Sequence, residues 1–183
     1  MKTRTAVSIV AVGALALAAA LPAHATLRSF TTTLTGAAET PPTGSAASGS
    51  ALVVFDDVLS TVSVGLTFAG LSAPATAGHI HCCTPVGTNI GVALGFTGFP
   101  SATSSSYTNT FGAGAYTGTN TFASVLAGTL AGQSYVNIHN ATFPGGEIRG
   151  FLVAAVPEPS TYALMLGGMA LVAGVARRRL TRG

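Results

Sequence analysis

The feature that most limits the folds open to this chain is a series of short β-forming runs, each bounded by Gly, Pro, Ser or Asn. They cover residues 29–34, 49–55, 61–68, 77–81, 90–94, 107–111, 134–139 and 147–153. Within them Val, Ile, Phe, Thr and Tyr alternate with small or polar residues, the pattern of strands with one buried and one exposed face. No stretch between them has the long period of an amphipathic helix, and only 7% of the residues are charged. Strands at this spacing predict an all-β domain, an antiparallel Greek-key-like β-sandwich or barrel. One exception is residues 121–131, where Phe122, Val125 and Leu126 predict a short helix ended by Gly132. The stretch "FTGFPSATSSSYTNTFGAGAYTGTNTF" is low in complexity and reads as surface loop around one strand. Residues 26–155 are enough for one domain with a real core.

Both ends have a different character. Residues 1–25 join a basic start, Lys2 and Arg4, to an apolar run and the small-x-small site Ala23-His24-Ala25. That is the pattern of a signal peptide, cut by signal peptidase after Ala25. At the other end, residues 156–183 carry an apolar run over 162–176, followed by Arg177, Arg178 and Arg179. The run is short for a full bilayer, and the arginines would stop it on the cytoplasmic side, so it reads as a short transmembrane stop-transfer helix. These two segments hold all the Lys and Arg residues except Arg28 and Arg149. Against Glu39, Asp56, Asp57 and Glu147, the body carries two net negative charges. The sequence pI of about 9.2 therefore belongs to the ends, and no nucleic-acid partner is expected.

The chemistry concentrates in "HIHCC". In a strand His79, His81 and Cys83 share one face, and Ile80 and Cys82 the other. Imidazoles two residues apart are separated by about 6.5–7 Å at Cα, which lets both reach one metal ion. His139, on a run alternating with Val136 and Ile138, supplies a third nitrogen, with Cys83 or water as a fourth ligand, and Glu147 is placed to orient an imidazole from behind. Copper and zinc are the ions that such a set would take; the competing reading is that the histidines hydrogen-bond loops at a sheet end. Cys82 and Cys83 allow a bridge between neighbours, free or metal-bound thiols, or a bridge to another chain. In "PGGEIRG" Glu147 and Arg149 share a face, expected to pair with each other or with Asp56 and Asp57, while Ile148 faces the core. Pro41-Pro42 marks the first turn, and Asp56-Asp57 a solvated one. There is no nucleophile elbow, phosphate loop or zinc-protease helix, so a non-enzymatic role is expected.

Three stretches carry a family resemblance: "FTTTLTGAAETPPTGSAASGSALVVFDD", "AGLSAPATAGHIH" and "YVNIHNATFPGGEIRGFL". Their order and content resemble the CHRD domain, a module first recognised in chordin and found in bacterial surface proteins. The last, with Gly146, Glu147, Ile148, Arg149 and Gly150, is the most specific. Cys82 and Cys83 stand where many members carry Gly, and Phe151 where Gln is common. The local His-x-His is also similar to that of copper/zinc superoxide dismutases, but the chain has too few histidines for a two-metal enzyme. The tail, with Pro157-Glu158-Pro159, a short apolar stretch and the arginine cluster, resembles a PEP-CTERM sorting signal. That resemblance implies transient membrane insertion, processing by an exosortase, and delivery to the outer surface or extracellular matrix of a Gram-negative bacterium. Extracellular polysaccharide or matrix protein is then the expected partner.

Overall fold

A computed structural model describes residues 27–155, 164–172 and 177. The signal peptide expected over residues 1–25, the triplet Pro157-Glu158-Pro159, Arg178 and Arg179 lie outside the described residues. The strands are β1 (Leu27–Thr35), β2 (Ser48–Asp56), β3 (Thr61–Ala69), β4 (Ala75–Cys82), β5 (Val92–Gly95), β6 (Ser105–Phe111), β7 (Ser134–Asn140), β8 (Ile148–Phe151) and β9 (Val153–Ala154). An α-helix, α1 (Phe122–Leu130), precedes β7.

All-β architecture is present: among the described residues one nine-stranded antiparallel sheet is curled into a half-barrel, in the order β5-β4-β7-β8-β1-β2-β3-β6 with β9 added beside β1. The sandwich alternative is not what forms. Because β1 pairs with β2 on one edge and with β8 and β9 on the other, it joins what would otherwise be two separate sheets. The run expected over 147–153 is interrupted at Leu152, which is buried and donates its N–H to the Ser134 carbonyl at 2.9 Å.

Alternation decides which face turns inward. Phe30 and Leu34 of β1, Ala51, Val53 and Phe55 of β2, and Val62, Val64, Leu66 and Phe68 of β3 are all buried. They meet Ile80, Val136, Ile138 and Ile148 in one core. Each such large apolar side chain contributes about 2 kcal/mol by leaving water. Phe30 and Phe55 meet edge to face, with centroids 5.7 Å apart. The edge strands β5 and β6 approach through side chains: Phe96, just past β5, stacks on Tyr107 at 5.5 Å, and the Tyr107 hydroxyl donates to the Thr97 carbonyl at 2.8 Å.

The predicted helix is present. Thr121 caps it by accepting from the Ser124 N–H, Val125 faces the core, and the chain leaves through Gly132 at φ +70°. Asp56 accepts from the backbone N–H groups of Val58 and Leu59 at 3.0 and 2.9 Å, the turn expected there. Residues 164–172 are helical with exposed Leu164, Met165, Leu166 and Leu171. Among the described residues, no helix is long and apolar enough to cross a membrane.

Candidate metal-binding site

β4, β7 and β8 give their apolar residues to the core and their polar ones to the outer face. There the β1–β2 connection and residues 83–91 fold over them. Register sets His79 opposite Asn137, His81 opposite Tyr135 and Ala77 opposite His139. The three histidines therefore converge from two neighbouring strands, and their ligating atoms all lie within 4.8 Å of one another. His79 Nδ1 lies 2.9 Å from His139 Nε2.

Two backbone carbonyls fix which nitrogens are bare. His81 Nδ1 is 2.7 Å from the Ile90 carbonyl, and His139 Nδ1 is 2.9 Å from the Pro144 carbonyl. A carbonyl only accepts, so in the neutral ring both Nδ1 atoms carry the proton and both Nε2 atoms present lone pairs. The His79 Nδ1–H satisfies His139 Nε2. His81 Nε2 is buried and has no hydrogen-bond partner.

Electrostatics keep the rings neutral. Burial first, then the His139 and His81 charges, hold His79 down at about 4 against an ordinary 6.5. Burial also lowers His81 and His139, with the Ile90 and Pro144 carbonyls pulling the other way. Neutral imidazoles at physiological pH are the protonation state a metal ion needs. Tautomers set by carbonyls are the outer support that metal-binding histidines usually have.

Tyr135 backs the site, its ring stacked on His81 at 4.7 Å and 3°. From β8, on the other side of β7, the Arg149 guanidinium lies over the same ring at 4.8 Å. Arg149 donates to the Ala38 carbonyl at 2.6 Å, to Asn89 Oδ1 at 2.7 Å and to the Thr40 hydroxyl. Its acidic partner is Glu39, 3.7 Å from Nε, which also accepts from Asn137 Nδ2 at 2.8 Å. Burial outweighs Arg149 at Glu39 and raises its carboxyl to about 7.

Residues 30–152 match the family model of the CHRD domain. The chain belongs to the CHRD family. Residues 155–179 match the PEP-CTERM protein-sorting motif, which makes this CHRD protein an exported one, membrane-anchored as a precursor and processed by an exosortase during sorting. No curated protein and no solved structure matches the chain.

Several expectations for the CHRD residues need correction. Cys83 is not a fourth ligand: it is bridged to Cys82, and its sulfur packs on α1 beside Gly128. Glu147 does not orient an imidazole, nor does it pair with Arg149. It accepts from the Ser45 hydroxyl at 2.6 Å, the Ser72 N–H and hydroxyl at 3.0 Å, and Asn140 Nδ2. Arg149 does not reach Asp56 or Asp57, because it turns under the β1–β2 connection to Glu39. Ile148 is buried in the core, as expected. Gly146, at φ +124°, sits so close over Asn137 and Glu39 that a Cβ would collide with both, and at Gly150 a Cβ would strike the β1 backbone. The family motif is therefore a set of internal fastenings around the histidine face. Glu39, Asn137 and Tyr135 belong to that setting and carried no motif signal beyond "GAAETPP" and "YVNIH".

Proposed function

We propose that this CHRD domain is a non-enzymatic module, displayed at the outer surface or in the extracellular matrix of a Gram-negative bacterium, that holds a copper or zinc ion with His79, His81 and His139. The observation that carries the reading is the bare Nε2 of His81, buried without a partner beside two other imidazole nitrogens. An unpaired buried acceptor costs about 1–3 kcal/mol, a cost that a bound cation would remove. Three nitrogens at about 2.0–2.1 Å would hold either ion, with water completing the shell. The cluster needs only a small opening between His79 and His139 to admit it.

Native mass spectrometry of the exported protein, offered zinc and copper in turn, tests this. One ion per chain, lost in both His79→Ala and His139→Ala, is the expected result. A protein that takes up neither ion, or whose uptake survives both substitutions, overturns the reading. A second binding face is favoured by a cavity of about 500 Å³ on the outer side of β1, β2 and β3, lined by Thr31, Thr33, Ser50, Leu52, Thr67 and Val153. Its hydroxyl rows suit extracellular polysaccharide more than a charged matrix protein. Retention on immobilised matrix polysaccharide, lost when Ser50 and Thr67 are replaced by Glu, is the corresponding check.

A further inference from the structure

We infer that the Cys82–Cys83 bridge is a redox-sensitive latch on the histidine site, holding it ready for metal while oxidised and loosening it when a dithiol reduces it. The inference rests on the metal-binding reading of that site. The bridge lies immediately after His81, at the end of β4. On its far side is α1, which meets the two sulfurs at Gly128; any Cβ there would overlap both of them and the Cys83 Cβ. The helix thus rests directly on the bridge, with no room for a side chain between them.

Backbone bonds tie this contact to its surroundings. Gln133 donates to the Gly128 carbonyl at 2.8 Å, Thr84 donates to the Gln133 carbonyl at 2.9 Å, and Cys82 pairs with Ser134 in the β4–β7 ladder. Cys82 is fixed in the core at 3% exposure, whereas Cys83 is only partly buried and heads the segment 83–91. Near its end that segment carries Ile90, whose carbonyl sets the His81 tautomer. One strand residue and one loop therefore connect the bridge to the ligand from both sides.

Reduction is a thiol–disulfide exchange. A donor thiolate attacks the more accessible Cys83 sulfur, the S–S bond breaks, and Cys82 leaves as a thiolate that takes a proton. The donor's second thiolate then displaces Cys83 as a thiol. Two electrons and two protons enter the protein, and the donor departs as a disulfide. Two unbonded sulfurs must keep van der Waals separation, and the close approach of Gly128 blocks that movement on the α1 side. Cys83 has to swing out and takes the start of the 83–91 segment with it. The far end of the segment stays tied through Asn89, but slack at its start loosens the Ile90 carbonyl's hold on His81. Losing an outer partner of a ligating histidine weakens metal binding by roughly tenfold or more.

Zinc is the probe for the test, since it does not change oxidation state when a reductant is present. Its affinity is measured on the exported protein as oxidised, after reduction with a phosphine, after reoxidation, and on a Cys82→Ala/Cys83→Ala variant without reductant. Binding should weaken roughly tenfold on reduction and in the variant, and recover on reoxidation. If the variant fails to fold, the reduced and reoxidised wild type decide alone. Equal zinc affinity in both redox states overturns the latch and leaves the metal site standing. So does tighter binding on reduction, which would mean that a thiolate had joined the imidazoles. No zinc or copper uptake by the oxidised protein removes the metal reading itself and the latch with it.

Discussion

Two polar clusters in this domain, one built on a buried carboxylate and one on three imidazoles, differ in completeness. Around Glu147, fully buried, the carboxylate accepts from Ser45, Ser72 and Asn140, and three connections are sewn together at one residue. Around His81, 7% exposed, the ring nitrogen that faces its two neighbours has nothing to accept from. A satisfied buried group stabilises; an unsatisfied one is a cost that persists only when something offsets it. The difference separates a fastening from a receptor, although both sit in the same family pattern.

The largest effect that can break this comparison should come from the fastening. Glu147→Ala strands the Ser72 N–H and the Asn140 amide in the interior, and a loss on the order of 4 kcal/mol in urea unfolding is expected. A loss below about 1 kcal/mol would mean that water replaces the carboxylate and that the two clusters are not different in kind. Next comes the receptor. Saturating metal, at a hundred times its dissociation constant, should stabilise the wild type by about 2.7 kcal/mol and His139→Ala not at all, read as a shift in melting temperature. In the apo state His81→Leu should cost little, because the substitution also removes the unpaired acceptor.

Gly128→Ala should cost about 2 kcal/mol, since its methyl has to displace the bridge sulfurs. A melting temperature equal to that of the wild type would show α1 free to ride outward. The smallest effect is on pH dependence, where His79 of the receptor and the nearby Glu39 act with opposite sign. His79, held down at about 4, makes apo stability fall as pH drops from 6.5 towards 4, because the unfolded chain takes the proton first. Glu39, raised to about 7, makes stability fall as pH climbs from 4.5 through 7, because the unfolded chain loses its proton first. Between pH 4.5 and 6.5 the two offset each other. Glu39→Gln should expose the His79 slope, seen as stability that rises with pH across this window in denaturant titrations. A slope unchanged by that substitution would count against the Glu39 assignment.

How much of this was legible depended on how local the signal was. The strand runs and the face shared by His79 and His81 follow from alternation, which needs only neighbouring residues. His139 could be added because Val136 and Ile138 alternate with it. The helix announced itself through Phe122, Val125 and Leu126 and the Gly132 that ends it, whereas the Thr121 cap came only with the fold. Glu39 could not be assigned to Arg149, since a charge carries no sign of its depth and the partner arrives from the far end of the chain. For the same reason Glu147 read as a partner for Arg149, although the fold buries it against Ser45, Ser72 and the end of β7 at Asn140. The single sheet was hidden too: nothing in residues 27–35 states that both edges of that strand will be occupied. Among the three readings of Cys82 and Cys83, the choice came only with the fold, which joins the two neighbours.

The short β9 has a mechanical meaning for a protein displayed on a tether. Its two residues pair with Phe30 and Thr31, and Ala155, where the sorting motif begins, still bonds to the Ser29 carbonyl at 2.8 Å. Tension arriving through the anchored precursor's tail therefore loads this two-residue clasp first, and the next residue inward is Leu152, sunk in the core at 1% exposure. The clasp can unzip and lengthen the tether while the Leu152 plug shields the barrel, so in a pulling experiment a short, low-force step should precede the rupture of the domain.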